Sequence, residues 1–401
     1  MTNRGDDPAE CSAASPPGSA RHRVMPDLSP NFGSPLEWWY AQGRLAEADG
    51  REHHLMFCLY RVRRDGGDAS MALVSLVDVA ACRHATANVV SRPFVSTILD
   101  IATRVGAHVA PPPIVRFGVG LFGGMVRDDA WPGFALHAET AGFGAPLAVD
   151  WAGIELRQDD ATISLAFSAS GSPFQFDLDL TTRAPWSSVG AHHLPGHALD
   201  GYRSCPRLNA RGRVCGRSVE GVLWFEQQWG SLDQTILEEG GHLRLIGWNW
   251  FGLNFDDGSD LLLYQRRDMS SGEPVDDFAV LFEGDDWRIV RDGFRTRPGS
   301  NRRAPYSLIS FPRRWRLESP SLDLALDFET EHDMAEISIL GPLHTLWEGP
   351  GRFAGWWKGR RVTGRGWVEL YGWDRPLGPT AHVRFWGEAL RSLVRSRHVA
   401  P

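Results

Sequence analysis

Two aromatic clusters carry the residues most suited to chemistry. Glu37-Trp38-Trp39-Tyr40 lies near the start, and Trp224-Phe225-Glu226-Gln227-Gln228-Trp229-Gly230 lies past the middle. Each sets a carboxyl group among indoles. A carboxyl packed against apolar rings loses hydration, keeps its proton to higher pH and is suited to deliver it near neutrality. The same residues also suit a structural use, because tryptophans fill and cap barrel interiors. In a strand, alternate residues share a face, so Phe225, Gln227 and Trp229 oppose Trp224, Glu226 and Gln228. Likewise Trp38 and Tyr40 oppose Glu37 and Trp39. Only one set per strand can face a pocket. The candidate catalytic residues are Glu226, Glu37 and Gln227, and the candidate substrate-binding walls are Trp38, Tyr40, Trp229, Trp248, Trp250, Tyr264 and Trp367. For Glu37 a structural hydrogen bond or an arginine pair is favoured over proton donation. Glu369 reads as structural.

Other chemistries find less support. His53-His54 and His192-His193-x-x-x-His197 resemble ligand clusters, but the second lacks the glutamate of a zinc-protease helix and adjoins Pro195-Gly196. Five cysteines without CxxC spacing suggest neither a zinc ribbon nor a disulfide framework. Lys358 is the single lysine and hence the sole Schiff-base candidate. Gly118–Gly124 lacks the Gly-Lys-Ser/Thr of a phosphate loop, and no Gly-x-Ser-x-Gly elbow occurs. No metal and no cofactor is expected. A formal net charge of −7 with scattered arginines argues against a nucleic-acid partner.

These residues need a framework of strands. The chain has 401 residues, beyond the roughly 250–300 at which single cores stop growing, so two cores are expected. Short alternating runs such as Leu55-to-Val62, Ala72-to-Val79, Thr162-to-Ser168 and Phe174-to-Leu180 are closed by turn signals, among them Asp49-Gly50, Asp65-Gly66-Gly67 and Asp257-Gly258. Helical spacing is confined to Phe94–Val105 and Ala389–Arg397. Residues 1–23, rich in Pro, Ser, Ala and Asp, lack a secretory apolar core and predict a disordered tail. No run approaches the ~20 apolar residues of a membrane span, so a cytoplasmic location is expected.

A degenerate repeat organises the rest. Trp38-Trp39-Tyr40 then Asp49-Gly50 matches Trp248-Asn249-Trp250-Phe251 then Asp257-Gly258, as two opening strands each entering a hairpin. Gly221-x-x-Trp224-x-Glu226 matches Gly364-x-x-Trp367-x-Glu369, as two closing strands. The longer first half places an insertion near 91–135, which includes Pro111-Pro112-Pro113. The reading is all-β: two tandem antiparallel β-barrels with few short helices, at 24–232 and 240–388, followed by a short helix or tail at 389–401. Closure would remove exposed sheet edges.

At these motifs the chain resembles the tandem lipocalin-like family that includes carotenoid 1,2-hydratases, AttH-type proteins, kievitone hydratase and fungal decalin-forming Diels–Alderases. Glu37–Tyr40 matches the family's opening Glu-Trp-Trp-Tyr. Gly221, Trp224, Glu226, Gln227, Trp229 and Gly230 align with its Gly-x-x-Trp-x-Asp-His-x-Trp-Gly. Gly247–Phe251 with Asp256-Asp257-Gly258, and Gly364–Glu369, match its second-domain start and close. Here Asp-His has become Glu226-Gln227, an amide that exchanges hydrogen bonds but shuttles no proton. The family's pattern favours the Gln227/Trp229 face as the cavity wall. The resemblance implies a lipocalin-like fold and a cofactor-free enzyme acting on an apolar unsaturated small molecule, a polyene, terpenoid or polyketide, by hydration, isomerisation or cyclisation. Loss of the histidine leans toward cyclisation. A noncatalytic carrier of a hydrophobic ligand is the competing class, since fold does not decide function.

Overall fold

The computed structural model describes residues 24–373 except 65–66, 108–110, 128–133, 195–198, 232–235, 240–241, 292, 305–308, 334 and 340–344. The tail at 1–23 and the short helix or tail at 389–401 expected from sequence lie outside the described residues. The fold is nearly all-β, built from two curled half-barrel sheets.

The central pair of each sheet is its opening strand against its closing strand. In the first sheet Leu36–Glu47 pairs antiparallel with Arg217–Gly230, setting Tyr40 opposite Glu226. In the second, His242–Phe255 pairs with Arg360–Tyr371, setting Trp250 opposite Glu369. On one side the opening strands are followed by Glu52–Arg64 and by Asp260–Asp268. On the other side the closing strands are followed by Leu199–Val214 and by Thr345–Trp357. The sequence repeat is therefore a repeat of topology. Among the described residues each hydrogen-bonded order is an open path, and the two tandem antiparallel sheets anticipated from sequence are curled half-barrels.

The repeated glycine of the closing motif has a steric cause. A Cβ on Gly221 would lie 1.9 Å from the carbonyl oxygen of Arg44, and one on Gly364 would lie 2.3 Å from that of Asn254. Each glycine thus lets the closing strand pass tightly beneath the opening strand, with Leu45 opposite Gly221 and Phe255 opposite Gly364.

Outer strands such as Phe176–Thr182 alternate buried and exposed residues, as expected for a sheet with one wet face. The opening strands do not. Residues 36–43 are buried on both faces, and so is all of Asp260–Asp268. The reason is a third core. One cluster fills the first sheet around Trp39, Phe57, Leu165 and Phe225, and another fills the second around Phe251, Trp315, Phe328 and Val368. Between them lies a cluster drawn from both sheets, with Trp38, Tyr40, Tyr202 and Trp224 against Trp248, Trp250, Tyr264 and Trp367. Two cores were expected, and the third is where the halves meet.

Helix α1 spans Arg92–Ala107, where helical spacing predicts it. Helix α2, Pro112–Arg127, lies within the insertion that the sequence places near 91–135 and carries its Pro-rich and Gly-rich stretch. Proline is tolerated in a first helical turn, whose N–H groups have no intrahelical acceptor. Among the described residues no helix is long and apolar enough to cross a membrane.

Candidate functional site

A cavity between the sheets is lined by Trp38, Tyr40, Cys58, Tyr60, Glu226, Gln228, Trp248, Trp250, Tyr264, Glu348 and Glu369, among others. It has about 20 Å³ of space. That is room for about one water molecule, for which ~10–15 Å³ suffices.

Glu226 reaches this cavity from the closing strand of the first sheet and is 4 % exposed. Three donors converge on one of its oxygens. Trp224 Nε1 lies 3.0 Å and Ser204 Oγ 3.4 Å from Oε1, and the Tyr202 hydroxyl donates to the same atom. Tyr202 is held from the other half, its Oη accepting from Trp250 Nε1 at 3.1 Å. Because Oε1 accepts all three, the proton of a neutral Glu226 belongs on Oε2. Burial pushes the Glu226 carboxyl up to about 8, against the pull of Tyr202, with the nearby Glu369 carboxyl adding to the rise. Desolvation is the dominant cause, as expected where a charge would sit among rings. Burial thus favours the protonated form of Glu226.

The second half supplies the counterpart. Glu369 follows Trp367 by two residues as Glu226 follows Trp224, and it accepts from Trp248 Nε1 at 2.9 Å. Glu348, directly opposite Glu369 on the neighbouring strand, accepts from Trp367 Nε1 at 3.2 Å. Burial raises both carboxyls above the ordinary range, and their proximity raises Glu348 further. The Tyr40 hydroxyl is buried and has no partner among the described residues, which suits it to hydrogen-bond a substrate or water oxygen.

Of the residues singled out in sequence, Glu226, Trp38, Tyr40, Trp248, Trp250 and Tyr264 meet at this cavity. Glu37, Gln227 and Trp229 do not. They occupy the opposite face, correcting the expectation that the Gln227/Trp229 face lines the pocket. Glu37 is fully buried against Arg61, whose Nη2 lies 2.9 Å from Oε2. It also accepts from the backbone N of Asn31 at 2.9 Å and from Gln227 Nε2 at 2.9 Å. Gln227 further donates to the carbonyls of Leu28 and Ser29, so this face ties the incoming chain to the sheet. Trp229 packs on Gly201, where a Cβ would overlap its ring, and lies under the Arg203 guanidinium 5.0 Å from its centroid. The glutamine in place of the family's histidine therefore lies on the face opposite the cavity, where it donates to Glu37 and to two backbone carbonyls.

Trp367 faces a larger cleft of about 490 Å³ along with Trp224, Gly43, Arg44, Arg207, Gly221, Arg365 and Gly366. Both indoles line the cleft while their N–H groups hold cavity carboxyls, so Trp224 and Trp367 are the partition between the two spaces. Sequence reasoning missed Glu348 and the cavity role of Glu369. The repeated Gly-x-x-Trp-x-Glu signals Glu369, whereas Glu348 is recognised only through strand register.

Outside the cavity, His54, Glu331 and His332 cluster closely enough to hold a cation. However, Glu331 is already paired with Arg44 at 2.8 Å and Arg352 at 2.7 Å.

This duplicated sheet order, with its carboxyls at the seam, is the setting for comparison with known proteins. The profile of the AttH-like family matches residues 137–373, more than half of the chain, and the protein belongs to that family. Among solved structures, a putative AttH from Nitrosomonas europaea is 20 % identical with a TM-score of 0.60, covering 86 % of this chain and 95 % of that one. Kievitone hydratase from Nectria haematococca is 12 % identical with a TM-score of 0.56, covering 89 % and 96 %. No curated protein matches the sequence.

Proposed function

We propose that this protein is an enzyme that protonates a carbon–carbon double bond of an apolar small molecule, leading to hydration or isomerisation without a cofactor. The observation that carries the reading is Glu226. It is sealed among indole and phenol rings, its protonated form favoured by burial, with all three of its donors on one oxygen so that the other presents its proton. Protonating an isolated alkene requires such an acid, and the faces of Trp38, Trp248 and Trp250 are suited to stabilise the resulting cation. A shape-driven cyclisation or a carrier would use the same protonated carboxyl only as a hydrogen-bond donor, so transfer of its proton to carbon is what separates the readings. Likeness to a hydratase in fold supports the reading but does not carry it.

The cavity admits little more than water, whereas a volume of about 490 Å³ lies within the ~300–1,000 Å³ of small-molecule sites. The substrate therefore approaches from the cleft, and displacement of the Trp224–Trp367 partition brings its double bond to Glu226. The reading is tested by incubating the purified protein with an apolar extract of its source and following component masses. The expected result is a component that gains one water, or changes retention at constant mass, with wild type and with Glu37→Gln but not with Glu226→Gln. Equal conversion by wild type and Glu226→Gln would overturn it, and an unaltered co-purifying ligand would point to a carrier.

A further inference from the structure

Glu348 and Glu369 face each other across adjacent antiparallel strands, where opposing side chains stand ~4.5–5.5 Å apart at Cβ. Among the described residues Glu348 accepts from the indole of Trp367 and Glu369 from that of Trp248, and neither carboxyl is paired with a cation. The other ionisable groups lining the cavity are Glu226, Cys58, Tyr40, Tyr60 and Tyr264, so no positive charge faces the pair there. Two carboxylates facing each other in such a place resist ionising together, while one can ionise beside a protonated neighbour. In the first half the position opposite the motif glutamate is Ser204, so the duplication has kept a single acid on one side and made a pair on the other.

We propose that Glu348 and Glu369 share a single proton and act as the base partner of Glu226, taking a proton from the water that adds to the substrate. This rests on the reading of Glu226 as the acid. In the step, the Glu226 Oε2–H bond breaks and a C–H bond forms at one alkene carbon. The water oxygen bonds the other carbon as one of its O–H bonds breaks, and that proton joins the pair, which then holds two. One proton returns from the pair to Glu226 through the cavity, so the sum is alkene plus water giving alcohol. The arrangement resembles two carboxyls divided between acid and base roles, where separate environments assign the roles.

Infrared titration of the full chain, reading the C=O stretch of protonated carboxyls, tests the sharing without any substrate. Wild type at neutral pH should show the Glu226 band and one band from the pair. In Glu348→Gln or Glu369→Gln the remaining member should release its proton at least tenfold more readily than the pair does, while Glu226→Gln leaves the pair's band in place. Unmoved titration in both variants, or two protons on the pair at neutral pH, would overturn the proposal. With a converted substrate in hand, Glu348→Gln should shift the acidic limb of kcat against pH and leave the alkaline limb, set by Glu226, where it is. An unmoved acidic limb would reduce the pair to a structural role. If wild type converts nothing, the acid reading of Glu226 fails and the base role falls with it, whereas the infrared result on proton sharing stands by itself.

Discussion

Glu226 and Glu37 have the same side chain and sit on paired strands, yet their surroundings make them different chemical groups. Glu37 faces a guanidinium, a backbone N–H and an amide. Glu226 faces an indole, a phenol and a hydroxyl, all neutral. The first is a structural anchor, and its removal leaves the fully buried Arg61 without its closest counter-charge. Glu37→Gln should therefore lower stability by about 3 kcal/mol or more in urea unfolding, the usual cost of orphaning one partner of a buried pair. The Glu226 prediction concerns slope. Its carboxyl lies at about 8 in the folded protein against an ordinary 4.5, so the folded state binds the extra proton. The stability this contributes is fully present below about 4.5 and is lost as pH rises through about 8. Relative to wild type, Glu226→Gln should gain about 1.4 kcal/mol per pH unit between pH 5 and 8, since the amide does not titrate. A flat difference across that window would mean that Glu226 ionises normally.

At the scale of elements, the period-two pattern was enough to sort every residue of the motifs into two faces, and the strands and hairpins followed from turn chemistry. It could not say which face held the cavity. The usual guide is that one face is wet, and the opening strands have none, being pressed between a sheet core and the core shared by the halves. For the same reason the sequence could not show that Glu369 lines the cavity and that Gln227 lies on the opposite face. Glu348 was invisible because a carboxyl pair across strands is a property of register, which the run Trp347-Glu348-Gly349 does not encode. Helix α2 was hidden by its own prolines and glycines. Motif glycines were legible as a pattern, and the structure supplies their cause. Gly221→Ala and Gly364→Ala should each destabilise by about 1–3 kcal/mol, the range for overpacking, with the loss read by thermal unfolding. Alanine at Gly50, where a Cβ meets nothing within 4 Å, isolates the backbone effect, because its φ is +86°.

For the whole molecule, the shared middle core makes the halves interdependent. Arg44 reaches Glu331 at 2.8 Å and Arg207 reaches Asp260 at 2.9 Å, each ion pair joining the first sheet to the second. Tyr202 bonds Glu226 of its own sheet and Trp250 of the other. Unfolding should accordingly be one cooperative transition, with fluorescence and far-ultraviolet circular dichroism coincident, and Trp250→Ala should lower the midpoint of both together. Separate transitions would show that the middle core couples the halves weakly. On the proposed reading the same seam sets the acid and its base partner face to face, which makes the chemistry a property of the assembled pair of sheets. The most direct test of this account is to run the extract incubation in heavy water and weigh the products. Protonation by Glu226 predicts a product carrying a non-exchangeable deuterium on carbon with wild type and none with Glu226→Gln. A product formed without deuterium would contradict it, placing the reaction among shape-driven cyclisations instead.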